Sequence, residues 1–185
     1  MWKRCMGAMV VFSIAAAASA VPIEGPNGHF YERVTEPVTE WHFAESQAEA
    51  QTYLGTAGHL ATITSAEEDD FIVANILPPS GLGEFVFVGG FQDPGSPEPG
   101  GGWQWVTGEE WDYTHWNPGE PNNNGGAEDF LIYVGHPSVW GWNDYTSDGA
   151  GITGYVVEYP VPEPATLGLL VVGGLGVLLK RRRKR

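Results

Sequence analysis

Between Asn117 and Gly126 the chain reads Asn-Pro-Gly-Glu-Pro-Asn-Asn-Asn-Gly-Gly, with no aliphatic or aromatic side chain that could seat a helix or a strand. Any fold must therefore carry this stretch as a long surface loop. The residues around it are rich in hard oxygen donors: Glu120, Asn122 and Glu128, and further on Asn143 and Asp144. Calcium takes six to eight such oxygens, mixing carboxylates with amide carbonyls. Three carboxylates against one divalent cation leave about one surplus negative charge. Pro121 lies between Glu120 and Asn122, and an X-Pro bond is the one kind that is readily cis. A cis bond there would turn both side chains to one side of the loop. The glycine-containing turn before Glu128 can curl the chain back to the same point. Asn143 and Asp144 follow Trp142 on a separate segment and must approach from a partner strand, so an ion held here would tie together pieces distant in sequence.

Charge narrows the partners. Between Arg4 and Lys180 there is one basic residue, Arg33, against all 23 acids, a balance of 1 − 23 = −22. Nucleic acid is excluded, because affinity for it rests on phosphate neutralisation by Lys and Arg. The acids by themselves read as a solvated surface suited to salty surroundings, not as a sign of calcium. Gly 26 and Pro 14 argue for a loop-rich β-type domain, and Trp 8, Tyr 7 and Phe 8 supply its core. Cys5 is the only cysteine and lies in a segment expected to be removed, so no disulfide framework forms.

The two ends read as sorting signals. Residues 1–20 have a basic start, an apolar run from Gly7 to Ala18 and the cleavage pattern Ala18-Ser19-Ala20, a secretory signal peptide. Cys5 precedes the apolar run, which argues against lipoprotein attachment. Residues 161–185 contain Pro162-Glu163-Pro164, an apolar run from Ala165 to Leu179 and six basic residues, Lys180 to Arg185. As a helix the apolar run spans about 22 Å, short for a bilayer core, with its basic end held in the cytoplasm. One globular domain lies between, over residues 28–160.

Within it, the sequence predicts a first strand over 29–34 and a helix from Glu40 to Leu54. Thr39 is the expected cap of that helix and Gly55 its end, with Trp41, Phe43, Ala44, Ala48, Ala50 and Leu54 as its buried face. Ser65-Ala66-Glu67-Glu68 is a capping box for a second helix, whose apolar stripe is Phe71, Ile72 and Ile76 and which Pro78-Pro79 stop. The acids Glu67 to Asp70 suit a solvated first turn at the positive helix end. Strands are expected at Phe85–Val88, Trp103–Val106, Phe130–Val134 and Tyr155–Tyr159, the last pairing with the first. The excursion Asp93–Gly100 belongs on the surface. Trp111, Tyr113 and Trp116 read better as pins for the long loop than as a sugar-stacking platform, and His59 as a core or turn histidine.

Glu120-Pro121-Asn122, Glu128 eight positions on, and Trp142-Asn143-Asp144 together resemble the calcium-dependent sugar site of C-type lectin domains. Gly58-His59-Leu60-Ala61-Thr62-Ile63, Phe87-Val88-Gly89-Gly90, Trp103-Gln104-Trp105 and Gly154-Tyr155-Val156-Val157-Glu158 extend the resemblance in order. It implies an α+β C-type lectin-like fold: two helices, antiparallel sheets and a long ligand-binding loop. Phe130 stands where many animal members have a cysteine, so this version lacks their disulfides. The tail is similar to the PEP-CTERM sorting signal, which implies a membrane-anchored stage, exosortase processing and delivery to the cell surface or extracellular matrix.

By the same resemblance, Ca²⁺ is held by Glu120, Asn122, Glu128, Asn143 and Asp144, while Glu120, Asn122, Glu128 and Asn143 also bind sugar hydroxyls. Glu-Pro-Asn implies mannose-, glucose- or fucose-like ligands on glycans or exopolysaccharide, whereas Gln-Pro-Asp goes with galactose. A calcium-stabilised, protein-binding adhesion module is the alternative. Catalysis is not expected: the adjacent pairs Glu109-Glu110 and Glu128-Asp129 point to opposite faces of a strand, unlike a convergent glycosidase pair. The loop from Asp144 resembles half an EF-hand, but Tyr155 occupies the position that needs a bidentate Glu.

Overall fold

Chain order runs β1 (Ile23–Glu24), β2 (Phe30–Val34), α1 (Trp41–Ala50), β3 (Thr52–Tyr53), β4 (Thr56–Ala57), β5 (His59–Leu60) and α2 (Ala66–Asn75). It continues through β6 (Phe85–Gln92), β7 (Trp103–Trp105), β8 (Phe130–His136), β9 (Val139–Tyr145) and β10 (Ile152–Tyr159). This computed structural model describes residues 21–36, 38–79, 83–136 and 139–161; the expected leader (1–20) and the tail from Pro162 lie outside them.

Side-chain alternation explains the layering. Successive strand residues point to opposite faces, and here both faces are apolar. Val86, Val88, Leu131, Tyr133 and Val156 pack on one side with Ile72 of α2, while Phe87, Ile132, Val134, Tyr155 and Val157 pack on the other with Trp41, Ala44 and Ala48 of α1. The sheet is thus buried on both faces between two helices. Its order is β1-β2-β10-β6-β8-β9, with β5 added to β10 and β7 to β6. As expected, β10 closes on β2, from Tyr155↔Val34 to Tyr159↔Phe30. The pairing of β10 with β6 is parallel, so the sheet is mixed and not wholly antiparallel.

The first helix departs from expectation at both ends. Thr39 does not cap it; the N-cap is Glu40, without a side-chain hydrogen bond. The Trp41 N–H instead donates to Ser147 O at 3.0 Å, from the loop before β10. The helix stops at Ala50, because residues 52–57 form a hairpin turning through Leu54 (φ 49) and Gly55 (φ 86). Trp41, Ala44 and Ala48 are buried as predicted, whereas Phe43 (43% exposed), Ala50 and Leu54 face solvent.

The second helix has the expected Ser65 cap, its oxygen accepting from Glu68 N–H at 3.2 Å. Its acidic turn is only half solvated. Glu67 and Asp70 are exposed, but Glu68 (2%) and Asp69 (1%) are buried. Glu68 accepts from Tyr31 O–H (2.5 Å) and Thr64 N–H (2.8 Å), while Asp69 accepts from Tyr133 O–H (2.5 Å) and faces His115 Nδ1 at 2.5 Å. The tyrosine hydroxyls and the Thr64 N–H, with the half-exposed His115 ring beside Asp69, offset the cost of desolvating these carboxylates.

Candidate calcium and sugar site

The long loop leaves β7 at Trp105 and returns at Phe130. Three aromatic residues hold its first half. Trp111 lies 4.3 Å from Trp105 and 5.8 Å from Trp142 between ring centroids, Tyr113 is 5.7 Å from Trp142, and Trp116 is 5.0 Å from Trp103. These half-buried rings pack on the core, as pins do. The backbone is sewn to β9 at the same place: Trp142 N–H donates to His115 O (2.8 Å) and Asn117 N–H to Trp142 O (2.9 Å). Gly141 makes this possible, since a Cβ there would stand 2.3 Å from Asn117 Oδ1. The loop therefore turns its polar tip beside Asn143 and Asp144, which come next on β9.

At the tip the Glu120–Pro121 peptide is cis. The buried Asp144 carboxylate (0% exposed) accepts the Asn122 N–H at 2.9 Å and the Asn123 N–H at 2.6 Å. Asn122 Nδ2 donates to Glu120 Oε2. Asn124 N–H donates to Glu128 Oε2 (2.6 Å), and Glu128 N–H donates back to Asn123 Oδ1 (3.1 Å). Glu120, Asn122, Glu128 and Asp144 thus form one constellation. Asn143 joins it differently. It sits opposite Ile132 and Asp144 opposite Leu131, so their side chains leave alternate faces of β9, and the Asn143 amide turns back to donate to Asp144 O at 2.6 Å.

Two residues outside the expected set build the turn. Asn123 adopts a positive φ (46°), bridging Asp144 and Glu128, and Asn124 supplies a main-chain N–H. The tolerance of Asn for left-handed backbone was the signal that could have singled out Asn123. Asp129, by contrast, holds the strand start, its carbonyl accepting Gln92 N–H at 2.8 Å.

The electrostatics leave this cluster short of positive charge. Partial burial raises the Glu120 carboxyl above its ordinary value, the charges of Asp144 and Glu128 add to that rise, and the Asn122 amide opposes it. Glu128 is raised for the same first reason and by Asp144, against the Asn124 N–H. Arg33, the only Lys or Arg among the described residues, is paired with Glu84 at 2.6 Å. A divalent cation with hard-oxygen preference fits such a donor set. Among the described residues no three His, Cys, Asp or Glu side chains form a metal cluster by themselves, so an ion here would also need amide or main-chain oxygens.

The family model of the C-type lectin domain matches residues 42–150, and that of the PEP-CTERM protein-sorting motif matches residues 160–184. The chain is similar to halomucin of Haloquadratum walsbyi, 32% identical over 163 residues, covering 81% of this chain and 2% of halomucin. It is also similar to ladderlectin of Oncorhynchus mykiss, 28% identical over 132 residues, covering 70% of this chain and 64% of that protein. The chain thus spans less than two thirds of either relative. The crystal structure of the C-type lectin CEL-I from Cucumaria echinata shares the fold, with a TM-score of 0.60 at 17% identity, over 81% of this chain and 100% of that one.

Proposed function

The chain belongs to the C-type lectin domain family and carries a PEP-CTERM protein-sorting motif, and on that premise we propose that it binds sugars through calcium. The family is one of non-enzymatic binding modules, and the motif implies export and sorting to the envelope. The observation that supports the proposal is the gathering of Glu120, Glu128 and Asp144 from two remote segments, close enough to feel one another's charge, with the amides of Asn122 and Asn123 and no Lys or Arg among them.

In this reading Glu120, Asn122, Glu128, Asn143 and Asp144 hold Ca²⁺. When bound, the ion supplies coordination positions that a vicinal sugar diol completes. The residues do the rest. Asp144 fixes the tip by accepting two main-chain N–H groups, and the rigid turn holds Glu120 and Asn122 side by side. Each of Glu120, Asn122, Glu128 and Asn143 has a polar atom for a sugar hydroxyl, and hydrogen bonds to carboxylates are the stronger ones. The Glu-Pro-Asn order supports mannose-, glucose- or fucose-type ligands, on glycans or exopolysaccharide. Before exosortase processing, the apolar run 165–179 anchors the protein to the membrane.

Calorimetric titration of the exported chain with calcium, followed by glycan-array binding with and without chelator, tests the reading. Calcium uptake at millimolar levels or below and chelator-sensitive binding that mannose competes away are expected. No uptake, or retention by a protein ligand that no sugar displaces, would sink the sugar assignment.

A further inference from the structure

Large apolar side chains stand in solvent where the described chain begins and ends. Val21 is 77% exposed, Leu54 74%, Ile23 45% and Val161 43%, four of the six large hydrophobic residues exposed among the described ones. They lie around adjoining surface depressions. One is walled by Tyr53, Leu54, Tyr159 and Val161, a second by Val21, Tyr53 and Tyr159, and a third by Val21 and Ile23. Shared walls make them one surface. None of Glu120, Asn122, Glu128, Asn143 and Asp144 lines any of the three.

Leu54 is the oddest member. It occupies the first central position of a two-residue hairpin turn at φ 49, followed by Gly55 at φ 86. Asn or Gly meets that geometry at less cost than a bulky aliphatic residue. Here a leucine combines unfavourable backbone with a side chain held out in water, and among the described residues it is left largely uncovered.

The chain itself indicates what does. Only Pro162, Glu163 and Pro164 separate Val161 from the apolar run beginning at Ala165. Four Cα steps span at most about 14 Å, and the headgroup layer on each side of a bilayer core is roughly 5–8 Å deep. While the apolar run is inserted, Val161 stays within about 14 Å of the hydrocarbon core, so the surface around it is held at or just outside the headgroup layer. So short a tether gives an effective concentration of at least millimolar order, enough for a weak apolar contact to be occupied. The contact has little electrostatic character: of the charged residues lining these depressions, Arg33 is paired with Glu84 and Glu32 is buried (4% exposed).

We infer that, in the membrane-anchored stage, this end of the domain rests in the headgroup region of a phospholipid bilayer, with Leu54 as the inserted tip. The inference rests on the anchoring role given above to residues 165–179. It concerns lipid as the occupant, not a second copy of the chain.

The test uses the exported chain, residues 21–185, which has no cysteine of its own. Thr56→Cys, beside Leu54, and Val139→Cys, which lines none of these depressions, each carry an environment-sensitive fluorophore. The labelled chains are reconstituted into phosphatidylcholine vesicles with or without brominated acyl chains. Flotation reports anchoring separately from docking. The Thr56 probe should be quenched by brominated lipid several-fold more than the Val139 probe, unchanged at high salt. Leu54→Asn, which suits the turn, should remove most of that difference while flotation persists. Equal quenching of the two probes in floating chains, or no effect of Leu54→Asn, overturns the docking and leaves anchoring intact. A probe shift that tracks protein density and ignores brominated lipid assigns the patch to a second copy and also overturns it. Failure to float sinks the anchoring reading and the inference together.

Discussion

Two groups of carboxylates in this domain look alike in sequence and are opposite in chemistry. Glu68, Asp69 and Glu158 are buried at 1–2% exposure and are met by donors from other elements. Glu158 alone faces His29 Nδ1 at 2.5 Å, Thr62 N–H at 2.9 Å and Tyr31 O–H at 3.1 Å. Glu120, Glu128 and Asp144 are met by main-chain amides, one asparagine amide and one another. The first group is met by hydroxyl, amide and imidazole groups of the fold, although burial and the charge of Glu158 still raise the Glu68 carboxyl. The second is gathered by the fold and left with mutual repulsion, which the proposed cation would relieve. Acid density does not distinguish a core network from the proposed ion site; the donors around each carboxylate do.

The comparison breaks first at Glu158. Glu158→Ala strands the buried Thr62 N–H and frees the partly exposed His29 ring, while Tyr31 keeps Glu68 as its acceptor, and a loss of about 2–3 kcal/mol is expected. Urea unfolding with calcium and with chelator should show the same loss, since this group does not depend on the ion. Next in size is Glu120→Gln. Calcium affinity should fall about thirtyfold, roughly 2 kcal/mol, while the unfolding midpoint in chelator at neutral pH stays level or rises. A thirtyfold drop accompanied by large destabilisation in chelator would place Glu120 with the structural group.

Asp69 links the two groups, because its partner His115 sits on the long loop just before the Trp116–Trp142 contact. Asp69→Asn should cost about 1–2 kcal/mol of stability and, by loosening the loop, weaken calcium binding about threefold, measurable by calorimetry. Unchanged calcium affinity would show that the loop is held without it. The smallest effect is on pH dependence. Glu120 and Glu128 have folded-state values raised above the ordinary 4.5. Their contribution to apo stability is therefore present below that value and lost as pH rises through the raised ones. In chelator, wild type should lose stability relative to Glu120→Gln/Glu128→Gln from about pH 4.5 upward. With calcium the order reverses, because the ion needs both carboxylates ionised, and calcium affinity should fall as pH drops through the same range.

Much of the fold was legible residue by residue. Ser65 caps its helix as its spacing to Glu68 demanded, β10 closes on β2, and the aromatic residues before Asn117 pin the loop they precede. The misses have physical causes. Leu54 extends the apolar pattern of α1 on paper, yet the chain turns a hairpin there and exposes it. Glu68 and Asp69 obey the helix-dipole preference for acids, but that preference says nothing of whether Tyr31 and Tyr133 will arrive to bury them. Asn123 offered one weak signal, its tolerance of positive φ, and its bridge between Asp144 and Glu128 appears only once the loop is closed.

By itself the sequence determined what depends on neighbours in the chain: the two helices, the polar loop that no helix or strand can absorb, the inventory of hard oxygens, and the absence of cysteine from the body. Only the tertiary structure decided which acids are solvated, which are satisfied by core hydroxyls, and which converge without a counter-charge. Capping and strand alternation act over a few residues. Burial and carboxylate convergence depend on segments such as 120–128 and 143–144 meeting in space, and on what lies around them when they do.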